Sequence, residues 1–359
     1  MRIFFNTPNK LLSGGPPTHL PILERELRKS VVVINYNYGR RKDKETIFEK
    51  IIFRFFDLIV FSIKLFCNRP DLIHLNSAAD SRAILRDFIL VLTTNLFRVP
   101  VFIKFHGSFD PEYYQSLFFL YRYFRNYILK NVAKIGVLSK EEKCFYENTV
   151  PGMNGKVEIV KNIIKEDFFN VNRKISEYPT VLFISRCLRQ KGIFELLKAV
   201  PFVLMYNSNT KFVFIGSGND SAEFDNRVNE MQLGESVRRY ESVDNSDTIK
   251  FYKSAWIFVF PTQKPEGMPM VVAETMSAGI PLITSKTRFS LSYMTEFEHC
   301  LFINPFDIKS IAEKIIILLD DSKMRDKMSS NLKKMSTLFA KEMVTQEYLR
   351  IYNSIKIKG

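Results

Sequence analysis

Four cysteines, Cys67, Cys144, Cys187 and Cys300, are spread over 359 residues and form no C-x-x-C pair. That spacing excludes a disulfide scaffold or a zinc ribbon and suits a reducing compartment. Histidine is as scarce. His19, His74, His106 and His299 have no i+4 partner and no cysteine at metal-ligand spacing, so no metal requirement is expected. Long apolar runs are missing too. The most apolar stretch, Ile47 to Phe66, is broken by Lys50, Arg54, Asp57 and Lys64, short of the roughly 18 uninterrupted apolar residues of a spanning helix. The first residues enter a strand-like Arg2-Ile3-Phe4-Phe5 with no secretory apolar region, and a cytoplasmic protein is expected. Acidic residues are the last shortage, 38 against 52 Lys and Arg, a net charge of +14. Residues 1–170 hold 26 of the basic and 17 of the acidic side chains, so the first half carries most of the surplus. Nucleic acid, anionic lipid and phosphorylated small molecules would all respond to that charge, and charge alone does not choose among them.

What is present reads as ordinary globular protein: 46% apolar and 25% charged, with 33 Phe and 15 Tyr against one Trp. The length suggests two domains. Short β-branched or aromatic runs alternate with helix-period segments, the pattern of parallel strands joined by crossover helices, so the fold class is α/β. Strands are predicted at 2–6, 31–36, 71–76, 99–105, 135–138 and 157–160, then at 180–185, 212–216, 237–240, 256–260 and 281–284. The polar text from Asn170 to Pro179 is predicted as a linker. Two doubly wound, Rossmann-like domains facing a central cleft are expected, covering 1–170 and 171–339. The last helical stretch, 340–359, is expected to pack back on the first.

In open α/β sheets ligands collect beyond the carboxyl ends of strands, at helix N-termini. Two loops there carry chemistry. Arg186-Cys187-Leu188-Arg189-Gln190-Lys191-Gly192 follows a strand and precedes a helix. Arg186 and Lys191 could grip two oxygens of a diphosphate, with Gly192 allowing close approach of the backbone; the plain alternative is a pair of solvated cations. The second segment runs from Pro261 to Pro281 and holds Glu266-Gly267-Met268-Pro269-Met270 and, eight residues past the first glutamate, Glu274. Pro269 suits a first helical turn and Gly279 a helix end. The backbone N–H groups of Gly267 to Met270 could receive a sugar or phosphate oxygen, and Glu274 could accept the two hydroxyls of a ribose. Read alone, each glutamate could equally be an ordinary helix charge. Gly216-Ser217-Gly218 lacks the third glycine of a dinucleotide fingerprint and reads as a tight strand-to-helix turn near a nucleotide.

Taken together, Arg186-x4-Lys191-Gly192, the spaced pair Glu266 and Glu274, and the passage from Glu266-Gly267-Met268-Pro269 to Gly279-Ile280-Pro281 resemble the nucleotide-sugar half of GT-B glycosyltransferases of family 4, a retaining group that includes many lipopolysaccharide, O-antigen and capsule enzymes. In the first half the likeness rests on Gly14-Gly15 and His106-Gly107. The resemblance implies that Arg186 and Lys191 hold the donor diphosphate, Glu274 the ribose and Glu266 a hydroxyl of the donor sugar. Gly267, Met268, Pro269 and Met270 would form the cradle, with Gly216 nearby. His106 would line the reaction centre, and Gly14 and Gly15 would lie near phosphate or acceptor. The sequence departs from the pattern at Pro16-Pro17, which stiffens the acceptor loop, and at His299-Cys300.

The expected activity is metal-independent, retaining transfer of a sugar, hexosyl in type, from a nucleotide diphosphate to an acceptor hydroxyl, without a cofactor. The basic, aromatic stretches 47–66 and 113–130 suit either an anionic bilayer or a core position. The expected partners are therefore a nucleotide sugar, a lipid-linked glycan acceptor and the anionic inner face of the cytoplasmic membrane, and not nucleic acid. A nucleotide-sugar epimerase would share the two-domain cleft but needs acid and base side chains that find no place here. A nucleic-acid-binding protein would explain the charge but not the paired glutamates, which repel phosphate.

Overall fold

A computed structural model describes residues 1–6, 15–36, 46–78, 80–106, 119–241, 243 and 245–355. The chain divides into two units, Met1–Ile163 with Phe339–Gly359, and Ile164–Leu338. The first is built on β1 (Arg2–Asn6), β2 (Val32–Tyr36), β3 (Leu72–Ser77), β4 (Val101–Phe105), β5 (Lys134–Val137) and β6 (Val157–Ile159), in the order β2-β1-β3-β4-β5-β6. All neighbours are parallel. Both faces are covered, as parallel sheets require. Successive side chains point to opposite faces. Phe4 and Ile103 therefore join one core with Phe61, Leu65 and Leu129, while Ile3, Phe5 and Phe102 join another with Leu20, Leu23, Tyr348 and Tyr352. The helices Gly15–Leu27 and Lys341–Ser354 cover this second face.

The second unit holds β7 (Thr180–Ile184), β8 (Lys211–Ile215), β9 (Val237–Tyr240), β10 (Ile257–Phe260), β11 (Leu282–Ser285) and β12 (Leu301–Ile303), ordered β12-β11-β10-β7-β8-β9. Every pairing is again parallel. The chain starts mid-sheet at β7, winds outward to β9, and returns to β10 on the other side of β7. The sheet direction thus switches between β7 and β10, paired through Val181 with Ile257 and Leu182 with Phe258. The loops leaving these two strands flank the switch point, the usual ligand position in such sheets.

Two sequence expectations need correction. Strand β12 was not expected: at three residues, Leu301–Ile303, it is too short to show the pattern that marked the longer strands. The division between units falls at Ile163/Ile164, before the predicted linker. The polar 170–179 stretch is instead tied into the second unit, where Arg173 donates from Nη1 to the Gly279 carbonyl at 2.8 Å and from Nη2 to the Ala255 carbonyl at 2.5 Å. The stretch 47–66, read as suited either to an anionic bilayer or to a core position, lies in the helix Ile47–Asn68. Asp57 is buried beside Arg54, and Lys64 donates to the Asn35 carbonyl at 3.1 Å. Aromatic residues face out instead, Phe48 with 73% and Phe66 with 67% of their surface exposed. Of the stretch 113–130, residues 113–118 lie outside the described residues and the remainder forms the helix Phe119–Asn131.

Candidate functional site

The switch point of the second sheet brings together two loops distant in sequence. The first leaves β7, forms a short 3₁₀ turn at Arg189–Lys191 and enters the helix Ile193–Tyr206 through Gly192. The second leaves β10 and enters the helix Met270–Ala278 through Pro269. They touch directly, since Gln263 N–H donates to the Gln190 carbonyl at 3.0 Å. Gly192 sits at φ +76°, and a Cβ there would lie 2.0 Å from the Pro261 carbonyl oxygen, so only glycine lets the loops close up. Gly216 plays the same part between β8 and β7: at φ +140°, its Cβ would lie 1.8 Å from the Ser185 carbonyl oxygen and 3.6 Å from Arg186 Cα.

Side chains follow from that packing. Lys191 Nζ and Glu266 Oε1 form an ion pair across the two loops, and Thr262 Oγ1 lies 3.4 Å from the same carboxylate oxygen. Arg186 is exposed and has no ion pair among the described residues, whereas Arg189 is committed to Glu223 through bonds of 2.7 and 2.8 Å. Of the three cations in this loop, Arg186 is the one left open to an anion. Gly267, Met268 and Pro269 are buried and Met270 is half-buried. No side chain caps the start of either helix, which leaves first-turn N–H groups to serve ligand oxygens.

Glu274 touches neither Lys191 nor Glu266. It is buried within the helix Met270–Ala278, and Tyr252 OH donates to its Oε2 at 3.0 Å. Burial pushes its carboxyl up to about 7, against the opposing pulls of the Tyr252 hydrogen bond and of Lys165. Tyr252 and Lys165 carry no sequence signal of this role, because a tyrosine in an amphipathic helix looks like any core residue. Beside the Glu266 loop, the carboxyl ends of β10, β11 and β12 enclose a cavity of about 460 Å³ lined by Thr262, Lys264, Ser285, Lys286 and Asn304 among others.

In the first unit His106 follows β4. Its Nε2 is 2.7 Å from Asn76 Oδ1. Asn76 Nδ2 is used by the Asn6 carbonyl at 2.9 Å, so Asn76 presents its oxygen and His106 Nε2–H donates to it. The free lone pair is then on His106 Nδ1, 3.5 Å from His19 Nε2. Burial first, then Lys104 and His74, hold His106 well below the usual imidazole value, so it is neutral at pH 7. His19 meets His106 across 87 residues, a proximity that searching for nearby partners in sequence could not reveal. Gly14 lies outside the described residues, and Gly15 is the first residue of the helix Gly15–Leu27.

Residues 164–335, nearly the whole second unit, match the family described as glycosyl transferases group 1. The second unit is a group 1 glycosyltransferase domain. Among curated relatives, the capsular polysaccharide biosynthesis glycosyltransferase CapM of Staphylococcus aureus is 26% identical over 203 residues, 55% of this chain and 51% of CapM. The N,N'-diacetylbacillosaminyl-diphospho-undecaprenol alpha-1,3-N-acetylgalactosaminyltransferase of Campylobacter jejuni is 26% identical over 196 residues, 53% of this chain and 49% of that protein. These matches span about half the length of the relatives. Among solved structures, a glycosyltransferase from Rickettsia africae superposes with a TM-score of 0.77 at 15% identity, covering 99% of this chain and 98% of its own. Anabaena HepE, solved with UDP and glucose, gives 0.75 at 14% identity over 99% and 100%. The group 1 domain therefore stands within a two-domain GT-B fold.

Proposed function

We propose that the chain transfers a hexosyl group, with retention and without a metal, from a nucleotide diphosphate to a hydroxyl of a lipid-linked glycan in surface polysaccharide synthesis, working at the cytoplasmic face of the membrane. The observation that carries this reading is the Lys191–Glu266 pair at the switch point of a group 1 domain, with Arg186 open beside it. Breaking the anomeric C–O bond leaves positive character on the sugar and negative charge on the departing diphosphate. Fixed cations and N–H dipoles at that diphosphate are then the principal source of rate. In this reading the diphosphate replaces Glu266 as the partner of Lys191, and Glu266 turns to a sugar hydroxyl. Glu274 accepts the two ribose hydroxyls, which requires it to ionise. The acceptor oxygen attacks on the face the leaving group departs from, and its proton passes to a leaving phosphate oxygen. His106, neutral and oriented by Asn76, polarises and does not act as the base. The names of CapM and of the diphospho-undecaprenol transferase support a capsule-type, lipid-linked acceptor, and the HepE complex supports a nucleotide-sugar donor. Among the described residues no helix is long and apolar enough to cross a membrane, so the membrane contact in this reading is peripheral.

The test is a screen of radiolabelled nucleotide sugars for hydrolysis or transfer, followed by Lys191→Ala with the active donor. Turnover is expected to fall by roughly 10²- to 10³-fold, as for loss of one donor to a developing anion. Near-normal turnover would remove Lys191 from the chemistry.

A further inference from the structure

The first unit carries a concave feature at the opposite end of its central strands from His106. The helix Ile47–Asn68 exposes Phe48, Phe55, Ile59 and Phe66, whose spacing of seven, four and seven places them on one stripe. Phe61 and Leu65, on another side of the helix, join the core. At its C-terminal end the stripe runs into a cavity of about 320 Å³ before β3 and β4, lined by Leu65, Phe66, Phe97 and Val99 and by two arginines, Arg69 and Arg98. Each arginine stands just past the end of a helix, Ile47–Asn68 and Ser81–Leu96 respectively, and each holds a left-handed backbone, at φ 41° and 57°. Glycine is the residue that takes this position without steric cost. Two helices ending on one cavity thus both keep a guanidinium where the backbone favours glycine. Among the described residues neither arginine has an ion pair, and the acid on the cavity wall, Asp71, accepts a hydrogen bond from Arg2 N–H at 2.7 Å.

We propose that this cavity takes the phosphodiester headgroup of an anionic glycerophospholipid while the aromatic stripe lies in the bilayer interface. Two guanidinium groups offer paired N–H donors to phosphate oxygens, and the apolar wall accepts the glycerol and upper acyl carbons. The inference shares its membrane location with the proposed function and stands without the sugar chemistry.

The full chain is sedimented with phosphatidylcholine vesicles with and without phosphatidylglycerol, as wild type, as Arg69→Gly/Arg98→Gly and as Phe66→Ser. Wild type is expected to bind the phosphatidylglycerol vesicles, the double variant roughly 30-fold more weakly, at about fivefold per arginine. Phe66→Ser is expected to weaken binding as well. Because glycine suits both backbones, the melting temperature of the double variant should not fall, which separates lost binding from lost folding. Equal binding of wild type and double variant overturns the proposal, as does indifference to phosphatidylglycerol. Release by soluble glycerol phosphate at low concentration shows a free-phosphate site and overturns it. Self-association through this face without vesicle binding also overturns it. Vesicle binding of this pattern in a chain that turns over no nucleotide sugar refutes the proposed function and leaves this inference intact.

Discussion

Replacing Glu274 with Gln tests the electrostatics of the group 1 domain directly. Its carboxyl is raised from 4.5 to about 7 by burial. The folded state therefore holds a proton that the unfolded state has lost throughout that window. Stability falls as pH rises from about 4.5 to about 7 and levels off above it, a total of about 3 kcal/mol from the two-and-a-half-unit shift. Glutamine keeps an oxygen to accept the 3.0 Å bond from Tyr252 and never ionises. The variant is expected to be about 3 kcal/mol more stable than wild type near pH 8 and within about 1 kcal/mol of it near pH 5. The assay is urea unfolding followed by tryptophan fluorescence. Trp256, the sole tryptophan, lies in the second unit with its Nε1 donating to the Ser176 carbonyl at 2.9 Å, so the signal reports that unit alone. Ligand binding should move the other way, since a ribose diol donates two hydroxyls and favours the carboxylate. Nucleotide-sugar binding near pH 7 is expected to release a proton in wild type and none in the variant. A glutamine variant no more stable than wild type near pH 8, or equally stabilised at both pH values, would refute the reasoning.

Other perturbations give equally direct readings. Gly192→Ala adds a Cβ 2.0 Å from a backbone oxygen at a left-handed φ, so the Trp256-detected transition should lose more than about 2 kcal/mol; an unchanged midpoint would show that the two loops are not in contact. His19, His74 and His106 are all held below the usual imidazole value, by burial first and Lys104 next. The unfolded chain binds protons at these sites below about pH 6.5 while the folded chain does not. The first unit should therefore lose stability with falling pH at up to about 4 kcal/mol per pH unit for the three together. A melting temperature of the first unit that stays flat between about pH 7 and pH 5.5 would rule this out.

The α/β class was legible because a parallel sheet buried on both faces leaves short runs rich in β-branched and aromatic residues, and eleven of the twelve described strands fall at predicted positions. The second unit was also legible at its site, since helix starts, Gly192, Pro269 and Gly279 are local backbone requirements written in single residues. What stayed hidden depended on partners far away in sequence. Tyr252 beneath Glu274, Asn76 and His19 around His106, and the pairing of Lys191 with Glu266 all arise from strand order, which spacing does not encode. The orientation of the helix Ile47–Asn68 was hidden for another reason. Composition shows that it is aromatic but not which side meets the sheet, and Asp57 with Arg54 turned inward while Phe48, Phe55 and Phe66 turned out.

The Lys191–Glu266 pair also constrains how the donor can enter. A half-buried cation beside a half-buried carboxylate is tolerable because each compensates the other, and removing one partner leaves a charge that must be desolvated alone. In the proposed reading Lys191→Ala therefore does more than delete a hydrogen bond to the diphosphate: it leaves the Glu266 carboxylate near phosphate oxygens with no cation between them. Adding Glu266→Gln to that variant removes the repulsion while restoring no cation. Nucleotide affinity should then recover in part, and turnover should stay as low as in Lys191→Ala, because the charge that stabilises the leaving group is still missing. A double-mutant cycle of affinity and turnover measures both. Strictly additive losses in affinity would mean that the two side chains act on separate ligand groups and do not exchange partners on binding.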